Sequence, residues 1–341
     1  MKILFSSYTF APNVGGIESV SAILAAAFIR AGHAVELITE TPGEKSHAPP
    51  DDASIYRVTR RPSFHELRRL LSWCDLLLQN NISLRSLIPA LLFRKRVVVV
   101  HQTWLLGVRG EIGWTNRVKR ALLPRVRNVA ISQAILDHIE VPARVIGNPY
   151  DDHIFRLRAA VARDETLVFL GRLVSDKGAD LLLRAMKILQ GDGLDPALTI
   201  VGRGPEEPNL RRLAGELGLE EQVTFVGSKS GAELAELLNR HRILVVPSRW
   251  PEPFGIVALE GIACGCVVVG SREGGLKEAI GPCGPTFENG NERALAACLK
   301  ELLLHPATST AFQNDASAHL AKFRTGTVAS AYLDLMKEVV A

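Results

Sequence analysis

The sequence predicts an α/β protein built from two doubly wound, Rossmann-like domains facing each other across a cleft. Three observations carry that expectation: the length of the chain, an alternation of short apolar runs with helical periodicity, and a restart of that alternation after residue 166. With 341 residues, the chain is roughly twice a common single-domain length. Hydrophobic residues make up 47% and charged residues 22%, the composition of a soluble globular chain with a packed core rather than a disordered or fibrous one. Apolar strands that alternate with helices imply a parallel sheet covered on both faces.

The first domain is expected over 1–150. KILFSS (2–7) reads as a strand ending in a loop. Residues 16–31 then carry Ile17, Val20, Ile23, Leu24, Ala27 and Phe28 at helical spacing, and Gly32 stops that helix. AVELIT (34–39), LLLQ (76–79), VVVVH (97–101) and VAIS (129–132) follow as strands, with helical stretches between most of them. The second domain is expected over 151–326, after a polar linker between 148 and 166. Its strands are LVFLG (167–171), LTIVG (198–202), VTFVG (223–227), ILVVP (243–247) and VVVG (267–270). Helices are expected at 179–190, 206–217, 232–240 and 256–264. The amphipathic stretch 327–340 is expected to pack back onto the first domain. Ligands of such sheets bind beyond the carboxyl ends of the strands, which makes the cleft the expected site.

Charge and cysteine content narrow the function classes. A net charge of +4 is too mild to indicate a nucleic-acid binder. The first 150 residues hold 19 basic and 11 acidic residues, net +8, and the remainder is net −4. Arg57, Arg60, Arg61, Arg68 and Arg69 form one basic cluster; Arg117, Lys119, Arg120, Arg125 and Arg127 form another. Each reads either as a solvated helix face or as a surface for anionic lipid or an acidic acceptor. The opening residues lack the apolar region and cleavage site of a signal peptide. No run is long and apolar enough to span a bilayer, since 86–100 is broken by Arg94, Lys95 and Arg96. The five cysteines read as free buried thiols, with no spacing that completes a zinc site. The expected location is cytoplasmic, with peripheral contact at the inner membrane face as an extension of the basic surface.

Four segments carry candidate chemistry. In PSRWPEPFGIVALEGIACG, Glu252 and Glu260 stand eight positions apart, about 12 Å on a continuous helix and too far for a shared proton. If the helix begins near Gly255, the two acids bracket its N-terminus, and the N–H groups of Phe254, Gly255, Ile256 and Val257 are available to a phosphate or a sugar. The alternative is that Glu252 caps the helix and Glu260 is a solvated surface acid. In GRLVSDKG, Arg172 and Lys177 follow a strand and suit a diphosphate clamp, or else surface ion pairs. In APNVGGIES, Gly15 and Gly16 allow unusual backbone angles and close ligand approach, without the spacing of a dinucleotide fingerprint. VGRGP, with Gly202, is a second strand-to-helix glycine turn. His101 ends a strand where cleft residues gather and is either structural or a donor aimed at a ligand. No DxD, HExxH or GxSxG occurs, so a metal-bridged or acyl-serine mechanism lacks its usual carriers.

GGIES, GRLVSDKG, VGRGP, VTFVGSKS and EPFGIVALE occur in an order that resembles the family-4 retaining glycosyltransferases of the GT-B fold. The resemblance covers nearly the whole chain and is tighter in the second domain. It implies that Glu252 contacts the donor sugar and Glu260 the ribose. It likewise assigns Arg172 and Lys177 to the diphosphate, the Gly15–Gly16 loop to the diphosphate and acceptor side, and His101 to the donor sugar. Gly227, Ser228 and Lys229 would flank the base. Arg203, where the family often has an acid, and Asn148–Pro149, where it often has an NG-type pair, are departures. The implied activity is transfer of a sugar from a nucleoside diphosphate sugar, UDP preferred over GDP, to a hydroxyl acceptor, with no metal and no other cofactor. The rival expectations are a nucleotide-sugar epimerase, a non-catalytic nucleotide-sugar-binding protein and a basic membrane-attached interaction protein.

Overall fold

The computed structural model describes residues 1–13, 15–43, 56–106 and 113–341. The chain divides into two compact units, one of Met1–Pro149 with Arg324–Ala341, the other of Tyr150–Phe323. In the first unit, β1 (Lys2–Ser7), β2 (Ala34–Thr39), β3 (Arg57–Arg60), β4 (Leu76–Asn80), β5 (Arg96–His101), β6 (Arg127–Ala130) and β7 (Ala143–Val145) form one sheet in the order β3-β2-β1-β4-β5-β6-β7. Every pairing is parallel, with Phe5 opposite both Leu37 and Leu78. The crossovers run through α1 (Gly16–Arg30), α2 (Phe64–Trp73), α3 (Leu84–Leu92), α4 (Trp114–Leu122) and α5 (Gln133–Ile139). All five residues of β4 are buried, as expected of a strand covered on both faces. Local signals set the helix starts: Ser63 and Glu66 close a reciprocal capping box on α2, and Ser132 accepts from Ile135 N at the head of α5. The C-terminal helix (Thr325–Val340) packs on α1, where the fully buried Tyr332 ring meets Phe28 edge-on at 6.5 Å.

The second unit repeats the scheme. β8 (Glu165–Leu170), β9 (Leu198–Val201), β10 (Val223–Gly227), β11 (His241–Val246), β12 (Val267–Ser271) and β13 (Thr286–Phe287) pair in parallel in the order β10-β9-β8-β11-β12-β13. The helices are α6 (Ala179–Gly191), α7 (Glu207–Leu217), α8 (Gly231–Arg240), α9 (Ile256–Ala263), α10 (Leu276–Ile280), α11 (Glu292–Leu304), α12 (Pro306–Asn314) and α13 (Ala316–Ala321). Its core joins Phe169, Ile200 and Val245 of the sheet to Leu182, Met186, Leu295 and Leu299 of α6 and α11. The fold is thus the pair of doubly wound parallel sheets that the sequence predicts.

The first basic cluster is not one solvated helix face. Arg57 and Arg60 lie on β3, and Arg60 is 6% exposed and donates to Thr41 O, while Arg68 and Arg69 are exposed on α2. Burial lowers the Arg60 pKa. Of the five cysteines, Cys74, Cys264, Cys266 and Cys283 are buried and Cys298 half-buried, all free; burial pushes the Cys266 thiol up to about 12, too high for a reactive thiolate. Among the described residues no helix is long and apolar enough to cross a membrane.

Candidate functional site

A parallel sheet sends every strand's carboxyl end to the same edge, so the loops that leave β8, β9, β10 and β11 share one rim of the second unit. Backbone hydrogen bonds join them in succession. Gly202 N donates to Gly227 O at 2.8 Å, Leu173 N to Arg203 O at 2.9 Å, Glu206 N to Leu173 O at 3.0 Å, and Arg249 N to Asp176 O at 2.8 Å. The rim therefore brings together Arg172, Lys177, Gly202, Gly227 and Glu252, which the sequence distributes over 81 positions.

Lys177 ends a single 3₁₀ turn (Ser175–Lys177) closed by Gly178 at φ +69°. A Cβ on Gly178 would stand 2.0 Å from Pro247 O, so only glycine lets the turn lie against the end of β11. That contact sets the central pair of the site. Glu252 Oε1 accepts from Lys177 Nζ at 2.5 Å and from Ser248 Oγ at 2.6 Å. The two charged side chains are 26% and 14% exposed, Lys177 and Glu252 in that order, so the pair is partly shielded yet reachable. The Glu252 backbone is fixed as well, by a one-residue bridge to Gly274 and by Gly275 N donating to its carbonyl at 2.7 Å. Glu252 thus faces Lys177 and does not cap α9.

α9 starts where the sequence places it. Gly255 takes the N-cap position at φ +100°, where an added Cβ would lie 2.5 Å from the Leu276 side chain, and no side chain caps the helix. The first N–H groups of α9, Ile256 and Val257 among them, lack intrahelical acceptors and carry the positive end of the helix dipole; Phe254 is buried beside them, its ring against Phe323. Arg172 is exposed, its guanidinium without a partner among the described residues. Glu260 lies one turn further along α9 and is half-buried, not a solvated surface acid. Burial, with a smaller contribution from the charge of Asp151, pushes its carboxyl up to about 7. Ser228 is exposed, and Lys229 forms an ion pair with Glu233 in the first turn of α8, the surface-pair arrangement rather than a free cation.

The carboxyl edge of the first unit is made differently. His101 is fully buried, and its Nε2 stands 3.0 Å from Asn128 Oδ1. The Asn128 amide nitrogen donates to Leu123 O and Val126 O, which leaves Oδ1 as the acceptor and places the His101 proton on Nε2. Burial lowers the His101 pKa, and among the described residues Nδ1 is left as an acceptor without a partner. His101 is thus anchored to Asn128 through Nε2, and Nδ1 is the ring atom it keeps unengaged among the described residues. Gly15 is extended (φ 178°) and Gly16 begins α1 with ordinary angles, so neither adopts the unusual backbone expected of it. What Gly15 provides is room: the Glu18 carboxylate folds back over it to where a Cβ would lie, 2.6 Å away. Val14 of the same loop lies outside the described residues.

Sequence reasoning missed several residues of these edges. Ser248 stands four positions before Glu252, inside the quoted segment, and its hydroxyl was the available signal. Asp176 and Gly178 lie inside GRLVSDKG, but what they do depends on β11, far along the chain. In the first unit Asn80, Gln102 and Asn148 form a buried amide network: Gln102 and Asn148 exchange two hydrogen bonds of 2.9 and 2.8 Å, Gln102 also donates to Asn80, and Asn80 donates to Ser21.

Comparison with known proteins finds likenesses centred on the second unit, which carries the Lys177–Glu252 edge. Residues 152–319 match the model of the glycosyl transferases group 1. A D-inositol 3-phosphate glycosyltransferase of Mycolicibacterium paratuberculosis is 34% identical over 206 residues, covering 56% of this chain and 46% of its own. A GDP-mannose-dependent alpha-(1-6)-phosphatidylinositol monomannoside mannosyltransferase of Mycolicibacterium smegmatis is 34% identical over 164 residues, covering 46% of this chain and 43% of its own. The chain spans less than half the length of these curated relatives. The crystal structure of Anabaena HepE in complex with UDP and glucose superposes with a TM-score of 0.81 over 99% of this chain and all of that one, at 22% identity, and so shares its fold.

Proposed function

Since the chain carries a glycosyl transferases group 1 domain, we propose that it moves a sugar from a nucleoside diphosphate sugar to a hydroxyl acceptor with retention of the anomeric configuration. The observation that carries this reading is the Lys177–Glu252 pair at the same rim as the exposed Arg172 and the open N-terminus of α9. Cleavage of a glycosyl phosphate bond leaves a diphosphate that gains negative charge. Cations and N–H donors fixed beside it stabilise the transition state more than the ground state. Arg172 and Lys177 take the diphosphate in this reading, and the protein's own charge suffices without a metal cofactor. Glu252 uses one oxygen to orient Lys177 and offers the other to a donor-sugar hydroxyl, and Glu260 takes the ribose. The acceptor oxygen attacks the sugar carbon from the face the phosphate leaves; the sugar–phosphate bond breaks with its electron pair going to the diphosphate, which takes the acceptor's proton. No protein base is needed.

UDP is the proposed nucleotide, supported by the complex in which HepE was solved; GDP is the rival, on the name of the mannosyltransferase relative. The acceptor class is a hydroxyl of a glycan, glycolipid or natural-product precursor. A thermal-shift panel of UDP- and GDP-sugars tests the donor: the cognate one raises the melting temperature by mass action and the rest do not. Incubation with donor and candidate acceptors then tests the chemistry. Nucleotide release that depends on acceptor supports transfer; an epimer formed from donor alone, or binding without product under any condition, replaces it with one of the rival readings.

A further inference from the structure

The amino edge of the first sheet, opposite to its carboxyl edge, carries a hollow of about 340 Å³ lined by Arg94, Lys95, Arg96, Arg125 and Arg127, together with Leu91, Pro124 and Val339. Among the described residues, five cations line it and no carboxylate does. Lys95 donates to Cys74 O and Arg125 to Ala121 O, and Arg127 stands 3.6 Å from Glu338 of the C-terminal helix, an acid shared with Arg144. Arg94 and Arg96 have no partner among the described residues. Like charges gathered this closely repel one another, and an anion in the hollow would relieve that repulsion. Immediately before Arg94, the end of α3 exposes Leu92 (78%) and Phe93 (41%), with Ile88 (43%) one turn earlier. An apolar tip directly joined to a cationic hollow is complementary to a lipid surface, where acyl chains lie next to anionic headgroups.

We propose that this edge docks on an anionic bilayer, with Arg94, Lys95, Arg96, Arg125 and Arg127 on lipid phosphates and Leu92 and Phe93 inserted beside them. The hollow draws Arg125 and Arg127 from the second basic cluster of the sequence, and joins them to the very Arg94–Arg96 run that interrupts its most apolar stretch. A strand of β5's length separates the docking edge from the carboxyl edge by about 20 Å. The contact therefore tethers the protein without occupying the acceptor side, and tethering is separable from turnover.

Flotation with vesicles of phosphatidylcholine alone and of phosphatidylcholine with phosphatidylserine tests this, on the full chain. Binding is expected only to the anionic vesicles and is expected to fall steeply between 50 and 500 mM salt. Arg94→Glu/Arg96→Glu is expected to weaken binding by on the order of tenfold or more. Leu92→Ser/Phe93→Ser is expected to weaken it severalfold, with thermal melting unchanged in both variants. Equal binding to neutral vesicles, no binding to anionic ones, or wild-type binding by both variants overturns the proposal. So does full competition by millimolar inorganic pyrophosphate together with no effect of the Leu92/Phe93 change, because the hollow then serves a soluble phosphate.

Discussion

The two carboxyl edges have the same topology and opposite chemistry. At the first, Ser21, Asn80, Gln102 and Asn148 are buried and bonded in one network, His101 is buried and bonded to Asn128, and the loop's glycines take ordinary conformations. At the second, backbone bonds do the holding, glycines take positions no other residue fits, and the charged side chains stay accessible. A polar group bonded inside the protein contributes to order; one left accessible by a rigid backbone contributes to binding. The second edge is built like a place where charge is exchanged with a ligand, and the first like a frame.

The sharpest way to break this comparison is Gly178→Ala. If the second edge is held by backbone, a Cβ 2.0 Å from Pro247 O at φ +69° displaces Lys177 from Glu252. The expected result is destabilisation by about 3 kcal/mol or more and loss of donor-induced thermal shift; wild-type melting and ligand response would mean the turn is not under constraint. Next, Arg172→Ala and Lys177→Ala are expected to lower turnover by on the order of tenfold to a thousandfold with little change in melting, as removal of an electrostatic stabiliser does. Unchanged steady-state kinetics in both refutes the diphosphate clamp.

Glu260 gives a pH signature. Its carboxyl is raised in the folded chain, from 4.5 to about 7, so between those values the folded state binds more protons than the unfolded one. Stability then falls as pH rises through that window and levels off above it. The contribution is at most about 3 kcal/mol. Glu260→Gln is expected to remove this component, so that its melting curve between pH 5 and 8 is flatter than that of the wild type; parallel curves would show Glu260 to be ordinarily solvated. The smallest effect belongs to the frame: Asn80→Ala leaves Gln102 and Ser21 each short of a partner and is expected to cost about 1–3 kcal/mol in urea unfolding. Donor-induced thermal shift is expected to survive it, and a loss comparable to that of Lys177→Ala would erase the distinction between the edges.

Much of this was legible in the residues. The alternation of apolar runs and helices predicts both sheets because parallel strands buried on both faces are continuous apolar runs, as VVVVH and VVVG show. The strands that escaped prediction are at or next to sheet edges. β3 reads RVTR and looks like a charged helix face; β7 and β13 have three and two residues. At the candidate site, Glu252, Lys177 and the start of α9 at Gly255 were readable as motifs. Their arrangement was not, since Ser248, Asp176 and Gly178 act through partners remote in sequence, and His101 turned inward on an asparagine 27 positions away. A motif announces which groups are present; the backbone between them decides which ones face outward.

The C-terminal helix adds a consequence for how the chain is made. Tyr332, wholly enclosed, seals the first unit against Phe28, yet it leaves the ribosome only after the whole of 150–323. At about 5–20 residues per second, the second unit has its entire sequence available, and time to settle, while the first still waits with an open flank on α1. Of the two units, the one synthesised first is thus finished last, and a nascent chain stalled before residue 325 would display one mature half and one unsealed half.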